Sequence, residues 1–323
     1  MTLTFRAATL DDAALAADLM SRSYPAMEQD PVITRFRWEN PRRGYLHGRF
    51  IVALDGRDAG FVGWVHGPWE KLPDRHCEIE VWLDRAFLDR KALLEMHRWI
   101  CDQAIAEGAA VLLEFAGEDE PEMLEVMEAV GFQRDRLERV SELDLQANRE
   151  RLLREAGETK AAAAAAGIEL TTVAKWSDPE AVRKLYELDS RTRQDIPTTL
   201  PILTEQFEDY ERRLHSPARS PERTWVALDH GRPVALTFLK FPPVRGKVWT
   251  GYTCTHPDHR GRGLARAVKL QSLAQAVELG VTSVRTDNDA ENAAMLRINQ
   301  ALGYRPVPGF VGCLKRVERR ERG

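Results

Sequence analysis

One spacing constrains this chain more than any other feature. Gly108 and Gly280, Met123 and Met295, and Gly131 and Gly303 all stand 172 residues apart, and residues 83–132 carry onto the second half without a gap. Val-Ala-Leu-Asp at 52–55 returns at 226–229, so only a short length change separates the earlier parts. A repeat this long is a repeat of whole domains, not of a solenoid unit. With 323 residues the chain has room for two cores. We expect two related domains, 1–147 and 168–323, joined by residues 148–167.

Each half alternates strands with helices. The first opens with the strand LTFRAAT and a helix capped by Asp11 or Asp12, followed by a polar stretch over 28–48. RFIVALDG and AGFVGWVHG form a hairpin turning at Asp55-Gly56. The strand CEIEVWLD, a helix over 91–107, the strand AVLLEFA and a helix over 121–130 complete the half. In the second half, IELTTVAK and a helix over 179–189 precede an irregular segment at 191–201. The helix LTEQFEDYERRLH, another hairpin and the strand VWTGYTCT follow. Between the halves, a charged stretch and an Ala run ending at Gly167 read as a solvated linker helix.

Composition removes several classes. A formal charge of -4 and a pI near 6.1 speak against nucleic acid and anionic membranes as partners. The N-terminus lacks a signal peptide's basic start and apolar core, and no run reaches membrane-spanning length, which points to the cytoplasm. Cys77, Cys101, Cys254 and Cys313 are scattered and read as free thiols, with a disulfide or zinc site as the alternative. Trp64, Trp69, Trp82 and Trp99 are core by default, with an interface as the alternative, and the oligomeric state is left open.

The chemistry concentrates where VWTGYTCT gives way to a helix, at Arg260-Gly261-Arg262-Gly263-Leu264-Ala265. Glycines let successive backbone N–H groups converge, and the helix start adds free donors and a positive dipole end. Arg260, Arg262, Arg266 and Lys269 add charge, so the turn reads as an anion cradle. GxxxxGK[ST] is absent, and the GxG lacks the third glycine of a dinucleotide fingerprint. His256 and His259 flank Pro257-Asp258 without a further ligand cluster, so we expect capping or phosphate contacts rather than a metal.

Arg-x-x-Gly-x-Ala, with a strand before it, a helix after it, then Asp287-Asn288, Asn292 and Gly303-Tyr304, resembles the GCN5-related N-acetyltransferases (GNAT). The tandem layout is similar to that of mycothiol synthases. The resemblance implies an α/β (α+β) fold, each domain a mixed, mostly antiparallel central sheet flanked by helices. It also implies acetyl-CoA as cosubstrate, with no metal. The cofactor-binding positions it carries over are Cys254, Thr255, Arg260, Gly261, Arg262, Gly263, Leu264, Ala265, Asn288, Asn292 and Asn299. The segment at 191–201 then faces the acceptor.

The repeat supplies an internal control. Opposite Arg260, Gly261, Gly263, Ala265 and Asn292 stand Leu88, Asp89, Lys91, Leu93 and Glu120. We therefore expect the cofactor in the second domain, the first being degenerate. The resemblance further implies that the acceptor is a primary amine of a small molecule or peptide, attacking the thioester directly. Asp195 could bind or deprotonate it, or merely serve a turn; Tyr252 could face the thioester or pack in the sheet. Family members with Asn-x-x-Ala-x-x-x-Tyr use the Tyr as general acid, whereas this chain has Asn299 there. The strand VWTGYTCT also lacks the Glu that many relatives keep on it, and that absence together with Asn299 favours a second class, a non-catalytic acyl-CoA binder or sensor. A third, aminoacyl transfer from charged tRNA, conflicts with the acidic balance.

Overall fold

The computed structural model describes residues 2–199 and 201–317. The first half carries β1 (Leu3–Ala7), α1 (Ala13–Ser23), α2 (Pro31–Glu39), β2 (Leu46–Leu54), β3 (Arg57–His66) and β4 (His76–Leu83). It continues with α3 (Arg90–Ala106), β5 (Val111–Gly117), α4 (Pro121–Ala129) and β6 (Gln133–Asp144). After α5 (Arg149–Ala165) the plan repeats with β7 (Ile168–Thr172), α6 (Ala181–Arg193), α7 (Phe207–Leu214), β8 (Thr224–Asp229) and β9 (Arg232–Lys240). The chain closes with β10 (Val248–Thr255), α8 (Leu264–Glu278), β11 (Ser283–Asp289), α9 (Ala293–Leu302) and β12 (Arg305–Arg316). The fold is the mixed, mostly antiparallel α/β architecture expected.

Local chemistry sets the repeat. Asp55 and Gly56 have φ of 48° and 80°, and His230 and Gly231 have 48° and 76°. Two consecutive positive φ values make the primed turn that matches strand twist, and it closes the equivalent hairpin in each half. Along α3, Leu93, Met96, His97, Ile100, Cys101 and Ala104 are buried at helical spacing and pack on β3 and β4. On the opposite face of the sheet, Ala16, Leu19 and Met20 of α1 pack on Ile51 and Phe61. The second half matches: α5, α8 and α9 cover one face and α6 and α7 the other.

Two segments differ from the sequence expectation. The polar stretch contains α2, whose N-cap Asp30 accepts from the N–H groups of Val32 and Ile33, with Pro31 at the first helical position. The linker helix is not solvated all round. Leu152, Ala156 and Ala163 of α5 are buried, Arg266 pairs with Glu155 at 2.5 Å, and Gln271 Nε2 donates to the Ala156 carbonyl.

The twelve strands among the described residues join one sheet in the order β1-β2-β3-β4-β5-β12-β6-β11-β10-β9-β8-β7. The halves have exchanged their last strands. β12 pairs with β5 of the first half, β6 pairs with β11 of the second, and the two exchanged strands pair antiparallel with each other. Leu143 on β6 is accordingly buried in the second half's core.

Glu142 fastens this crossing, accepting from Arg285 Nε at 2.6 Å and Lys247 Nζ at 2.9 Å. Burial raises its pKa, but those hydrogen bonds outweigh burial and hold it at about 2, below the ordinary 4.5. Its contribution is complete above pH 4.5 and is lost as the pH falls toward about 2. Glu142→Gln, which strands a largely buried Arg285, is expected to cost about 1–3 kcal/mol at pH 7 and to flatten that acid limb. Denaturant melts across pH measure both, and an unchanged midpoint and limb would refute the role.

Candidate functional site

The glycine turn lies at the head of α8. Gly261 and Gly263 have φ of 76° and 77°, which side-chain-bearing residues rarely adopt, and a Cβ at either would meet nothing within 4 Å. Gly263 is the N-cap and offers no side-chain acceptor, so the first-turn N–H groups of Leu264 to Arg266 point outward without a cap. Open space and convergent donors fit a phosphate. His256 instead caps its own turn, and His259 Nε2 lies 3.0 Å from Asp229 Oδ2.

The basic side chains are disposed differently from the sequence expectation. Arg260 binds Asp195 at 2.5 Å and the Thr255 carbonyl at 3.3 Å, and Arg266 binds Glu155. Lys269 turns inward: it is 2% exposed, its Nζ has no hydrogen-bond partner, and it lies 5.2 Å from the Tyr304 ring centroid. Burial depresses its pKa to about 7.

Beside the turn the sheet opens. β10 and β11 pair in parallel at Val248↔Val284 and Trp249↔Arg285, after which β10 stays with β9 and β11 with β6. A bulge in β10 falls at Gly251, where a Cβ would stand 2.0 Å from the Phe238 ring. The His256 N–H donates to the Val234 carbonyl. Antiparallel alternation then turns the backbone of Cys254 and Tyr252 toward β9, and that of Thr253 and Thr255 toward the gap. The Cys254 backbone therefore does not face the gap, and its thiol is pushed up to about 12 by burial.

In the first half β4 and β5 part in the same way after Glu78↔Leu113. There, however, Asp89 caps α3, its carboxylate accepting from the N–H groups of Lys91 and Ala92 at 2.9 Å. An internal carboxylate thus occupies the position that stays open on α8.

The other candidates fall in three places. Asp195 lies beyond the end of α6, its carboxyl held below the ordinary range by the hydrogen bond from Arg260; clamped in this way, it is a poor base. Leu200 of the segment at 191–201 lies outside the described residues. Tyr252 packs among the apolar side chains under α6, its hydroxyl 3.0 Å from Thr192 Oγ1 and the Arg193 guanidinium 4.7 Å from its ring centroid. Burial raises its pKa, so it stays protonated. On the opposite face, buried Asn299 donates to Asn288 Oδ1 at 2.6 Å, and Asn292 caps α9.

Sequence reasoning missed a chamber of about 980 Å³ between the halves, onto which both gaps open. Glu78 and Glu80 of β4, Glu138 of β6 and Asp287 of β11 line it, with Arg37 and Lys240. Burial, reinforced by neighbouring carboxylates, raises Glu78 and Glu138 to about 7. These residues look like surface charges in sequence; strand alternation and the exchange of β6 turn them inward. Trp64 belongs to the first half's core and Trp82 packs against the α1 cluster, as expected, and both also reach the chamber lining.

Residues 182–304 match the acetyltransferase (GNAT) family. The fold is similar to that of a tandem GNAT protein from the clavulanic acid biosynthesis pathway, at 18% identity, TM-score 0.76 and 98% coverage of both chains. It is also similar to a GCN5-related N-acetyltransferase from Sphaerobacter thermophilus, at 17% identity and TM-score 0.69, covering 97% of this chain and 95% of that one. A GNAT-family acetyltransferase from Colwellia psychrerythraea matches at 11% identity and TM-score 0.62, with 98% of this chain and 100% of that one covered. No curated protein matches the sequence. Among the described residues, no helix is long and apolar enough to cross a membrane. Two halves of one architecture in a single sheet, the second carrying the matched residues 182–304, give this chain the fold of a tandem GNAT protein.

Proposed function

We propose that the second half transfers an acetyl group from acetyl-CoA to a primary amine of a small molecule or peptide. The observation that carries this reading is the uncapped, glycine-led start of α8 beside the gap between β10 and β11. The amides of Leu264, Ala265 and Arg266 bind the pyrophosphate, with Arg262 supplying charge at the rim. Thr253 and Thr255 offer backbone groups to the pantetheine amides, and an N–H of β10 facing the gap receives the developing oxyanion. A neutral amine nitrogen forms the new C–N bond as the C–S bond breaks; the thiolate leaves with or without a proton from water, because Asn299 cannot supply one.

The substitution at Asn299 and the absence of a carboxylate on β10 favour a second reading, a binder or sensor of acyl-CoA. Calorimetric titration of acetyl-CoA, followed by thiol release with a panel of primary amines, separates the two. We expect one site per chain and amine-dependent thiol release. Binding without release would leave the sensor, and no binding would overturn both.

A further inference from the structure

The chamber meets the opening between β10 and β11 at Trp249, Thr250 and Asp287. Its volume is that of a small-molecule site. Glu78, Glu80 and Asp287 are exposed residues of strands that line this space. The nearby cations are Arg42 for Glu78, Arg37 and Arg49 for Glu80, and Lys240 for Asp287, acting at a distance rather than in contact, while Trp82 Nε1 donates to Glu80. Carboxylates gathered on one chamber wall without an ion-pair contact repel one another, and a site that binds a cation has a use for them.

Two further observations narrow the ligand. Asp287 is the opposite charge acting on the buried and unpartnered Nζ of Lys269 on α8, and it also lines the chamber. The aromatic lining, including Trp38, Trp64, Trp82 and Trp249, already receives one cation, the Arg49 guanidinium 4.7 Å from the Trp38 ring centroid. The repeat adds a reason for the first half to take part: by ladder register Glu78 and Glu80 hold the places of Trp249 and Tyr252, so the carboxylates lacking on β10 stand on β4, across the same chamber.

Building on the acyl-transfer reading above, we propose that this chamber is the acceptor site and that it takes a cationic amine, held by Glu78 of the first half, Glu138 of the exchanged strand and Asp287 of the second. An amine arriving as ammonium gives one proton to this carboxylate cluster before it attacks. After the C–N bond forms and the C–S bond breaks, the second proton leaves with the coenzyme thiol or to water.

The test is saturable quenching of the chamber tryptophans by spermidine, glucosamine and phenethylamine up to about 10 mM, with glutarate as the anionic control. It is run on wild type, Asp287→Asn and the Glu78→Gln/Glu138→Gln double variant, with melting temperatures measured alongside. At least one amine should bind wild type and lose tenfold or more in each variant, while glutarate does not bind. Because the substitutions remove unpaired carboxylates, the variants should melt no lower than wild type at pH 8. No amine binding, unchanged binding in the variants, or a preference for glutarate would overturn the inference. Acetyl-CoA binding without amine binding defeats this inference alone, whereas amine binding without acetyl-CoA binding defeats the acyl-transfer reading and leaves the chamber's amine specificity standing.

Discussion

Gly263→Asp removes acetyl-CoA binding and leaves the protein folded. Gly263 sits at φ 77° with open space where a Cβ would project, so the substitution meets no steric obstacle. Its cost is the left-handed conformation itself, about 1–2 kcal/mol and lower for Asp than for most residues. The new carboxylate lies beside the first-turn amides of α8, and the chain already shows the result at α3, where Asp89 takes the N–H groups of Lys91 and Ala92. A carboxylate there both occupies donors and repels a pyrophosphate. We expect acetyl-CoA affinity to fall by about 100-fold or more, roughly 2.7 kcal/mol, in a calorimetric titration. Affinity within threefold of wild type would show that the α8 amides do not hold the phosphates.

A chain ending at Tyr304 should not fold in either half. Losing β12 strips β5 and β6 of the strand that lies between them, and it removes Val311 and Cys313 from the first half's core. Two long ladders then lie open, with their backbone groups unpaired and apolar faces exposed. We expect no cooperative unfolding transition by circular dichroism and no acetyl-CoA binding. A truncated chain that still melted cooperatively and bound acetyl-CoA would show that the second half closes without the exchange.

The repeat, the hairpin turns and the glycine-led helix start were legible because each is a local pattern: paired positive-φ turns, helical periodicity, an absent cap. The signals for α2 were also present, an Asp N-cap followed by Pro31, but the helix is short and only Thr34 of it is buried, so its periodicity is weak against the polar residues that flank it. In α5 the Ala run concealed a buried stripe of Leu152, Ala156 and Ala163, because small residues carry little periodic contrast. The exchange of β6 and β12 was not legible. The two strands are repeat equivalents with similar faces, so β5 could accept either, and partner choice is decided by tertiary structure rather than by pattern. The chamber was hidden for the same reason: Glu78, Glu138 and Asp287 sit in three strands that only the exchanged sheet brings to one cavity.

Synthesis gives the exchanged strands an order in time. β5 is complete at Gly117, but the strand it finally pairs with begins at Arg305. At ordinary elongation rates the roughly 190 residues between them take about 10–40 s to emerge, far longer than a hairpin needs to form. During that interval the nascent first half has β6 within reach and β12 not yet made. Either β5 stays bare for the duration of synthesis, or β6 rests on it and must leave once β12 arrives. In both cases the first half reaches its final form only after the second half's other strands have been made, so β12, translated after them, is the strand that completes it.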